Sequence, residues 1–371
     1  MTTEKPLRIL HLTAGSDPGG LSRYLLDLCG AMHAAGHDVT IAGQRGPWHD
    51  RFAAAPWPWI DVPLNGGPLG LWRSRQILRT HLAQHPVDLI HAHYRKSTLV
   101  ARQLQRTCKP PVLYTLHLSH MPVTGIWRLL TDYGDHTHAA ATDARQWLID
   151  DCKLPPAHIT LIPHGIDPNH FPRVEAQTRS AARRALGLLD GDLVALFIGR
   201  MDEVKNVPWM LDLAADSRSA LPNLRILLAG EGPDAADLQQ RITDQGLANR
   251  VKMLGHREPL PLYHAADALL LPSRREGFSL VCAEAMCAGI PVLRTRTSGT
   301  ADLIIEGVTG RSTPIKKDAF IQGAISFLAD PKALAAMGIQ GAEQIRKNFT
   351  FERQVQETVA MYRIMTGQTG T

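Results

Sequence analysis

Short apolar runs alternate with longer amphipathic stretches through the first half of the chain. Leu7–Thr13 is an apolar run of strand length, followed by a loop, Ala14–Gly20, that holds Gly15, Pro18, Gly19 and Gly20. Leu21, Leu25, Leu28 and Met32 then share one face of a helix predicted over Leu21–Ala35, which Gly36-His37-Asp38 stops. Val39–Gly43 is the next predicted strand. Strand, glycine loop, helix and strand is the rhythm of a parallel sheet covered on both faces. The rhythm returns at Asp88–His93, Val112–Leu116 and His138–Thr142.

The pattern changes between Ile159 and Pro172. Ile159–Pro163 reads as a short strand, and His164–Pro172 is dense in turn residues, which predicts a hinge. A second series of strands follows at Leu193–Ile198, Arg225–Ala229, Val251–Leu254, Ala268–Leu271 and Pro291–Arg294, with helical stretches between them. Val355, Val359, Tyr362 and Met365 mark a closing helix over Phe351–Met365. The expected fold class is α/β, with two doubly wound domains in tandem over 1–165 and 166–350 and a terminal helix within 351–371.

Composition narrows the class. With 371 residues, 44% of them hydrophobic and 20% charged, the chain has material for two cores and is no disordered, collagen-like or disulfide-scaffold sequence. No apolar run approaches the roughly 18 residues of a membrane span. The longest candidate, Ser279–Leu293, is broken by Glu284, Gly289 and Pro291. Five scattered cysteines without a CxxC pair, and a start lacking the basic-then-apolar layout of a signal peptide, point to a cytoplasmic protein with reduced thiols. A formal net charge of +5 suits phosphate-bearing ligands or an anionic membrane surface, and equally a plain solvated surface.

The commonest phosphate-binding signatures are missing: there is no GxxxxGK[ST], and no GxGxxG between a strand and a helix. Other anion-binding pieces are present. Gly19-Gly20 opens the first long helix, where free N–H groups and the helix dipole can receive a phosphate. Gly199-Arg200 and Lys205 leave the carboxyl end of a predicted strand, the edge where open α/β sheets bind ligands. Arginine as a fork and lysine as a point charge can together clamp a diphosphate. After the strand Ala268–Leu271, a loop carries Glu276, and a helix opens near Ser279. The amides of Gly277, Phe278, Ser279 and Leu280 would form a second anion site there. Glu284 sits on that otherwise apolar helix and needs partners, either a structural ion pair or the hydroxyls of a sugar or ribose.

Glu276 and Glu284, with seven residues between them, form an EX7E element, and the chain resembles the retaining glycosyltransferases of family GT4. Eight pieces fit in order: Gly19-Gly20, Thr115-Leu-His117, Pro163–Asp167, Gly199-Arg200 with Lys205, Gly230–Pro233, Gly255–Arg257, the glutamate pair, and Glu306–Gly310. The resemblance implies a GT-B fold, two Rossmann-like domains facing a central cleft with the last helix crossing back to the first domain. It also implies a nucleotide-sugar donor against the second domain. Arg200 and Lys205 would hold the diphosphate, helped by the amides of Gly277–Leu280. Glu284 would bind the ribose, the backbone at His256-Arg257 would read the base, and Glu276 would orient sugar hydroxyls. Gly19 and Gly20 would approach the phosphate from the first domain, with His117 on the donor sugar. His164, Asn206 and Ser279 depart from the residues common at their positions, and Asp302 replaces a usual glutamate and is given no role.

The expected chemistry is a hexose transfer to a sugar, glycolipid or polysaccharide acceptor, with UDP-sugar favoured as donor and GDP-mannose next. No cofactor, divalent metal or nucleic acid is expected. A non-catalytic nucleotide-sugar-binding protein and an NAD(P)-linked oxidoreductase are the rival readings. Asp190-Gly-Asp192 matches the DxD of metal-dependent transferases but precedes its strand, as a turn would. His91-Ala-His93 puts two imidazoles on one strand face with no evident third ligand, so His93 is read as lining the cleft. Cys282 and Cys287 are read as buried hydrophobes. Trp48, Trp57, Trp59 and Trp72, followed by Arg73, Arg75, Arg79 and His81, leave two readings open: weak docking on an anionic membrane, or tryptophans packed in the core beside solvated arginines.

Overall fold

The computed structural model describes residues 5–118, 121, 124–125 and 131–368. The chain forms two units, Met1–Pro163 with Glu352–Thr371, and His164–Phe351.

Unit 1 is built on a parallel sheet of β1 (Arg8–Gly15), β2 (Asp38–Gln44), β3 (Trp59–Asp61), β4 (Leu89–Ala92), β5 (Val112–Leu116), β6 (His136–Ala139) and β7 (Ile159–Leu161), in the order β3-β2-β1-β4-β5-β6-β7. Alternate side chains leave opposite faces of each strand, and both faces are covered. Leu7 and Ile9 pack with Leu25, Leu28 and Met32 of the helix Gly20–Ala34, and with Met361 and Tyr362 of the last helix, Phe351–Thr366. Leu10, Leu12 and Ile90 pack with Leu78 and Leu82 of the helix Gly67–Gln84 and with Val100 and Leu104 of the helix Arg95–Cys108.

Unit 2 repeats the plan with β8 (Leu193–Ile198), β9 (Leu224–Ala229), β10 (Val251–Gly255), β11 (Ala268–Leu271), β12 (Val292–Thr295) and β13 (Gly310–Thr313), all parallel and ordered β10-β9-β8-β11-β12-β13. In each unit the strand order reverses between two adjacent strands, β1 and β4 in the first and β8 and β11 in the second. Those switch points are where such sheets open a crevice at their carboxyl ends.

Two details differ from the sequence reading. The strand predicted at His138–Thr142 is β6, which ends at Ala139; Thr142 already begins the helix Thr142–Asp150. The alanine run Ala139–Ala141 is buried on both sides of that boundary, so its apolar character does not mark the strand end. The edge strands β3 and β13 carry only three and four residues, too few to show a period.

Candidate functional site

Unit 2 gathers its candidate residues at the β8/β11 switch point. β8 runs into Gly199 and Arg200, and Asp202 caps the short turn Glu203–Lys205, accepting from the Lys205 N–H at 3.2 Å. The same carboxylate takes Arg200 Nε at 2.6 Å. Asn206 follows at φ 50, in the left-handed region that asparagine tolerates better than most residues with a side chain. Its Nδ2 donates to the Pro272 carbonyl at 2.9 Å, and its Oδ1 accepts from Arg274 Nε at 2.8 Å. The Arg274 N–H donates to the Val204 carbonyl at 2.7 Å. Asn206, a departure from the common glycine, thus stitches the loop after β8 to the loop after β11.

The stitch brings Lys205 to Glu276, with Nζ donating to Oε1 at 2.7 Å. Ser273 Oγ donates to the same oxygen at 2.7 Å. Burial pushes the Glu276 carboxyl up, but the charges of Lys205 and Arg294 and those two hydrogen bonds outweigh it. The group is held below its ordinary value, as a carboxylate at neutral pH. Arg294, near the end of β12, is 1% exposed, and its Nη2 donates to Thr297 Oγ1 at 2.6 Å and to the Ser298 carbonyl at 3.1 Å. Sequence reasoning missed Arg294, although a charge closing an apolar strand was a signal.

Beyond Glu276 the backbone of Gly277 and Phe278 leads to Ser279, the cap position of the helix Leu280–Cys287. The Ser279 side chain makes no cap hydrogen bond to that helix, which leaves its first-turn N–H groups open to another partner. The buried Phe278 ring anchors the loop between His164, 5.7 Å away, and Phe349, 5.5 Å away, which gives the hinge histidine a packing role. Glu284, 6% exposed, accepts at Oε2 from Tyr263 OH at 2.8 Å. This phenol, 21 positions away in sequence, is a partner that spacing could not reveal.

The ends of β8, β9 and β10 lie side by side. A Cβ on Gly230 would stand 1.9 Å from the Gly199 carbonyl oxygen, and one on Gly232 2.2 Å from that of Met201, so Gly230-Glu-Gly232 is required by backbone packing. His256 and Arg257 are exposed just after β10, with Arg257 Nε donating to the Leu254 carbonyl at 3.1 Å. Asp190 and Gly191 form a turn leading to β8. Asp192 is engaged within the protein, accepting from the Leu189 N–H at 2.8 Å and pairing with Arg225 at 3.2 Å. Cys282 and Cys287 are buried.

In unit 1, Gly19 (φ 151) and Gly20 are exposed at the start of the helix Gly20–Ala34, whose cap position, Gly19, has no side chain to offer. His117 follows β5 at the same carboxyl edge, half-buried, with Tyr24 of that helix edge-on to its ring at 5.3 Å. Behind it lies a layer of buried histidines. His117 Nε2 is 3.1 Å from His93 Nδ1, and His93 Nε2 is 3.0 Å from His11 Nδ1. A second chain is fixed in direction by its last acceptor. His138 Nε2–H donates to the Ile162 carbonyl at 2.6 Å, so Thr115 OH donates to His138 Nδ1 at 3.0 Å. His91 Nε2–H then donates to Thr115 at 2.5 Å, and Tyr362 OH donates to His91 Nδ1 at 2.6 Å. Burial lowers these imidazoles, His11 to about 3 and His138 to about 4, with His91 and His93 also well below the usual range, so all four are neutral.

The register that pairs His11 with His91 supplies the third imidazole that the HxH pair lacked. Ligand nitrogens of His11, His91 and His93 lie within 4.8 Å of one another. Both ring nitrogens of His91 and of His93 are already engaged, so the trio is a hydrogen-bonded layer of the core.

The four early tryptophans part company. Trp57 is 8% exposed in the core, Trp59 packs 5.1 Å from Phe52, and Trp48 lies under Arg51. Trp72 is 55% exposed on the helix Gly67–Gln84, with Leu69 and Ile77 also exposed. Arg73 and Arg79 are exposed and Arg75 is half-buried on the same helix, which has no acidic residue.

Residues 18–170 match the family model "Glycosyltransferase Family 4", and residues 178–344 match "Glycosyl transferases group 1". A D-inositol 3-phosphate glycosyltransferase of Acidothermus cellulolyticus is 26% identical over 95% of this chain and 87% of its own length. The lipopolysaccharide core biosynthesis mannosyltransferase LpsB of Rhizobium meliloti is 33% identical over 55% of this chain and 60% of its own. The fold matches the crystal structure of Anabaena Alr3699/HepE in complex with UDP and glucose at a TM-score of 0.83 and 22% identity, covering 96% of this chain and 99% of that one.

Proposed function

The chain belongs to the family 4 glycosyltransferases, with a two-domain α/β GT-B fold, and from that premise we propose that it is a retaining, metal-independent hexosyltransferase. The observation that carries the reading is the β8/β11 switch point, where a lysine–glutamate pair at 2.7 Å stands beside a helix N-terminus to which the Ser279 side chain makes no cap hydrogen bond.

Breaking the anomeric C–O bond of a nucleotide sugar leaves a diphosphate and an oxocarbenium-like centre. Arg200, Lys205 and the N–H groups that open the helix Leu280–Cys287 stabilise the departing charge. Glu276 orients the sugar hydroxyls. Glu284, held by Tyr263, offers its carboxylate to the ribose, and the backbone at His256-Arg257 meets the base. The acceptor hydroxyl attacks from the face the diphosphate leaves, with no covalent enzyme intermediate.

A UDP-sugar is the first donor to test, as the Anabaena neighbour was solved with UDP, and GDP-mannose is next, as a mannosyltransferase is among the relatives. The acceptor is a sugar, glycolipid or polysaccharide of the cell envelope. The exposed Trp72, Leu69 and Ile77 beside three arginines support weak peripheral contact with an anionic membrane from the cytoplasmic side. Hydrolysis and transfer assays across UDP-, GDP- and ADP-sugars test the activity, and NMR of the product anomer tests the stereochemistry. Folded protein inactive with the whole panel would overturn the donor reading, and an inverted product the retaining one.

A further inference from the structure

Arg200, Lys205 and Arg294 all belong to the switch point of unit 2, and they are not equivalent. Arg200 is paired with Asp202 at 2.6 Å and its side chain is 69% exposed. Lys205 is paired with Glu276 at 2.7 Å. Arg294 is the most deeply buried of the three, and among the described residues no carboxylate lies within ion-pair distance of it. Its Nη2 is spent on Thr297 and Ser298, and its Nη1 is buried without a hydrogen-bond partner.

Isolated buried charge is costly, so an arginine kept there must be compensated electrostatically. Its place in the fold shows by what. Arg294 lies in register beside Leu271, the last residue of β11, from which the loop to Glu276 departs. Gly299, next to the Ser298 carbonyl that Arg294 holds, packs against the same loop; a Cβ there would stand 3.0 Å from the Gly277 oxygen. The guanidinium therefore holds the segment Thr297–Ser298, whose next residue packs against the loop of Glu276.

We propose that Arg294 is a positioning residue for the donor site: a cation fixed beside the loop that, together with Lys205, holds Glu276 as an oriented carboxylate and keeps positive potential near the place where the donor's diphosphate departs. This rests on the donor reading above. Glu276 is faced by Lys205 from the turn after β8, by Ser273 from its own loop and by Arg294 from β12. Cys282, on the helix, feels the charges of all three ionised groups. Arginine is required because one guanidinium nitrogen anchors to Thr297 and Ser298 while the group's charge reaches Glu276. Lysine keeps the charge but cannot make the double anchor.

The test uses full-length protein with carbon-13 at the glutamate carboxyls, the Glu276 resonance being assigned by its loss in Glu276→Gln. In Arg294→Met the Glu276 proton affinity should rise about ten-fold or more, and the acid limb of turnover should move to higher pH with it. Arg294→Lys should bring the Glu276 proton affinity most of the way back down to the wild-type value while kcat stays reduced. A Glu276 titration and a kcat both unchanged in Arg294→Met would overturn the proposal. If Arg294→Met does not fold, Arg294→Lys decides, and wild-type kcat in that variant refutes the anchor. If wild type turns over no sugar nucleotide, the donor reading has failed, while the Glu276 titration still reads the role of Arg294.

Discussion

Replacing Lys205 with methionine removes one end of a part-buried ion pair while keeping the length of the side chain. Cutting a fully buried pair at one end costs about 3–5 kcal/mol, because the other charge is stranded. Here the two side chains are 24% and 11% exposed, and Glu276 keeps the Ser273 hydroxyl and the nearby charge of Arg294. The expected loss at pH 7 is therefore about 2–3 kcal/mol. At about 2–4 °C per kcal/mol for a domain of this size, the melting transition of unit 2 should fall by about 4–12 °C. The pH dependence is the sharper check. The folded protein holds Glu276 below its ordinary value, so this contribution is full above the unfolded carboxylate range and is lost as pH falls through the folded value. The gap between wild type and Lys205→Met should then narrow on acidification. Urea unfolding at pH 7 and at the lowest pH where both proteins fold measures it. An equal gap at both pH values would refute the ion pair as its source. Turnover of Lys205→Met should also fall roughly 10²-fold.

Glu276→Gln should lower turnover with little change in UDP affinity, whereas Glu284→Ala should weaken UDP by about 1.5–3 kcal/mol; equal losses by calorimetry would mean the two roles are misassigned. Turnover should persist in EDTA, since Asp192 is committed to its own turn and to Arg225; loss restored by Mg²⁺ or Mn²⁺ would contradict this. Wild type should sediment with anionic vesicles at low salt and be released at high salt, and Arg73/Arg75/Arg79→Ala should bind more weakly by about 1 kcal/mol per arginine; wild type left in the supernatant at low salt would remove the membrane contact.

Most strands were legible because they are buried on both faces and so read as continuous apolar runs. The short edge strands β3 and β13 offered no such run, and the end of β6 was hidden by three alanines in succession. Local pieces of the site were legible too: Arg200, Lys205 and the Glu276–Leu280 loop all follow strand ends, and the topology brings them to one switch point. Long-range partners were not. Nothing in the spacing joins Tyr263 to Glu284, or Asn206 to Pro272, since those bonds follow from how adjacent strand ends align. His11 was overlooked for the same reason, as only the β1–β4 register sets it beside His91. In the sequence Arg294 reads as a strand end because its neighbours are apolar, and the cost of its burial shows only once the strand is seen inside the sheet.

The last helix has a consequence for how the chain leaves the ribosome. Unit 2 is one continuous stretch, His164–Phe351, but unit 1 draws its final helix from after that stretch. During synthesis the second unit can therefore complete its sheet while the first still lacks Met361 against its apolar face and the Tyr362 hydroxyl on His91. The domain made first is the last to finish. Translation stopping just before residue 352 would release a whole second unit attached to a first one with an uncovered face and an unsatisfied imidazole, a natural substrate for chaperones and proteases.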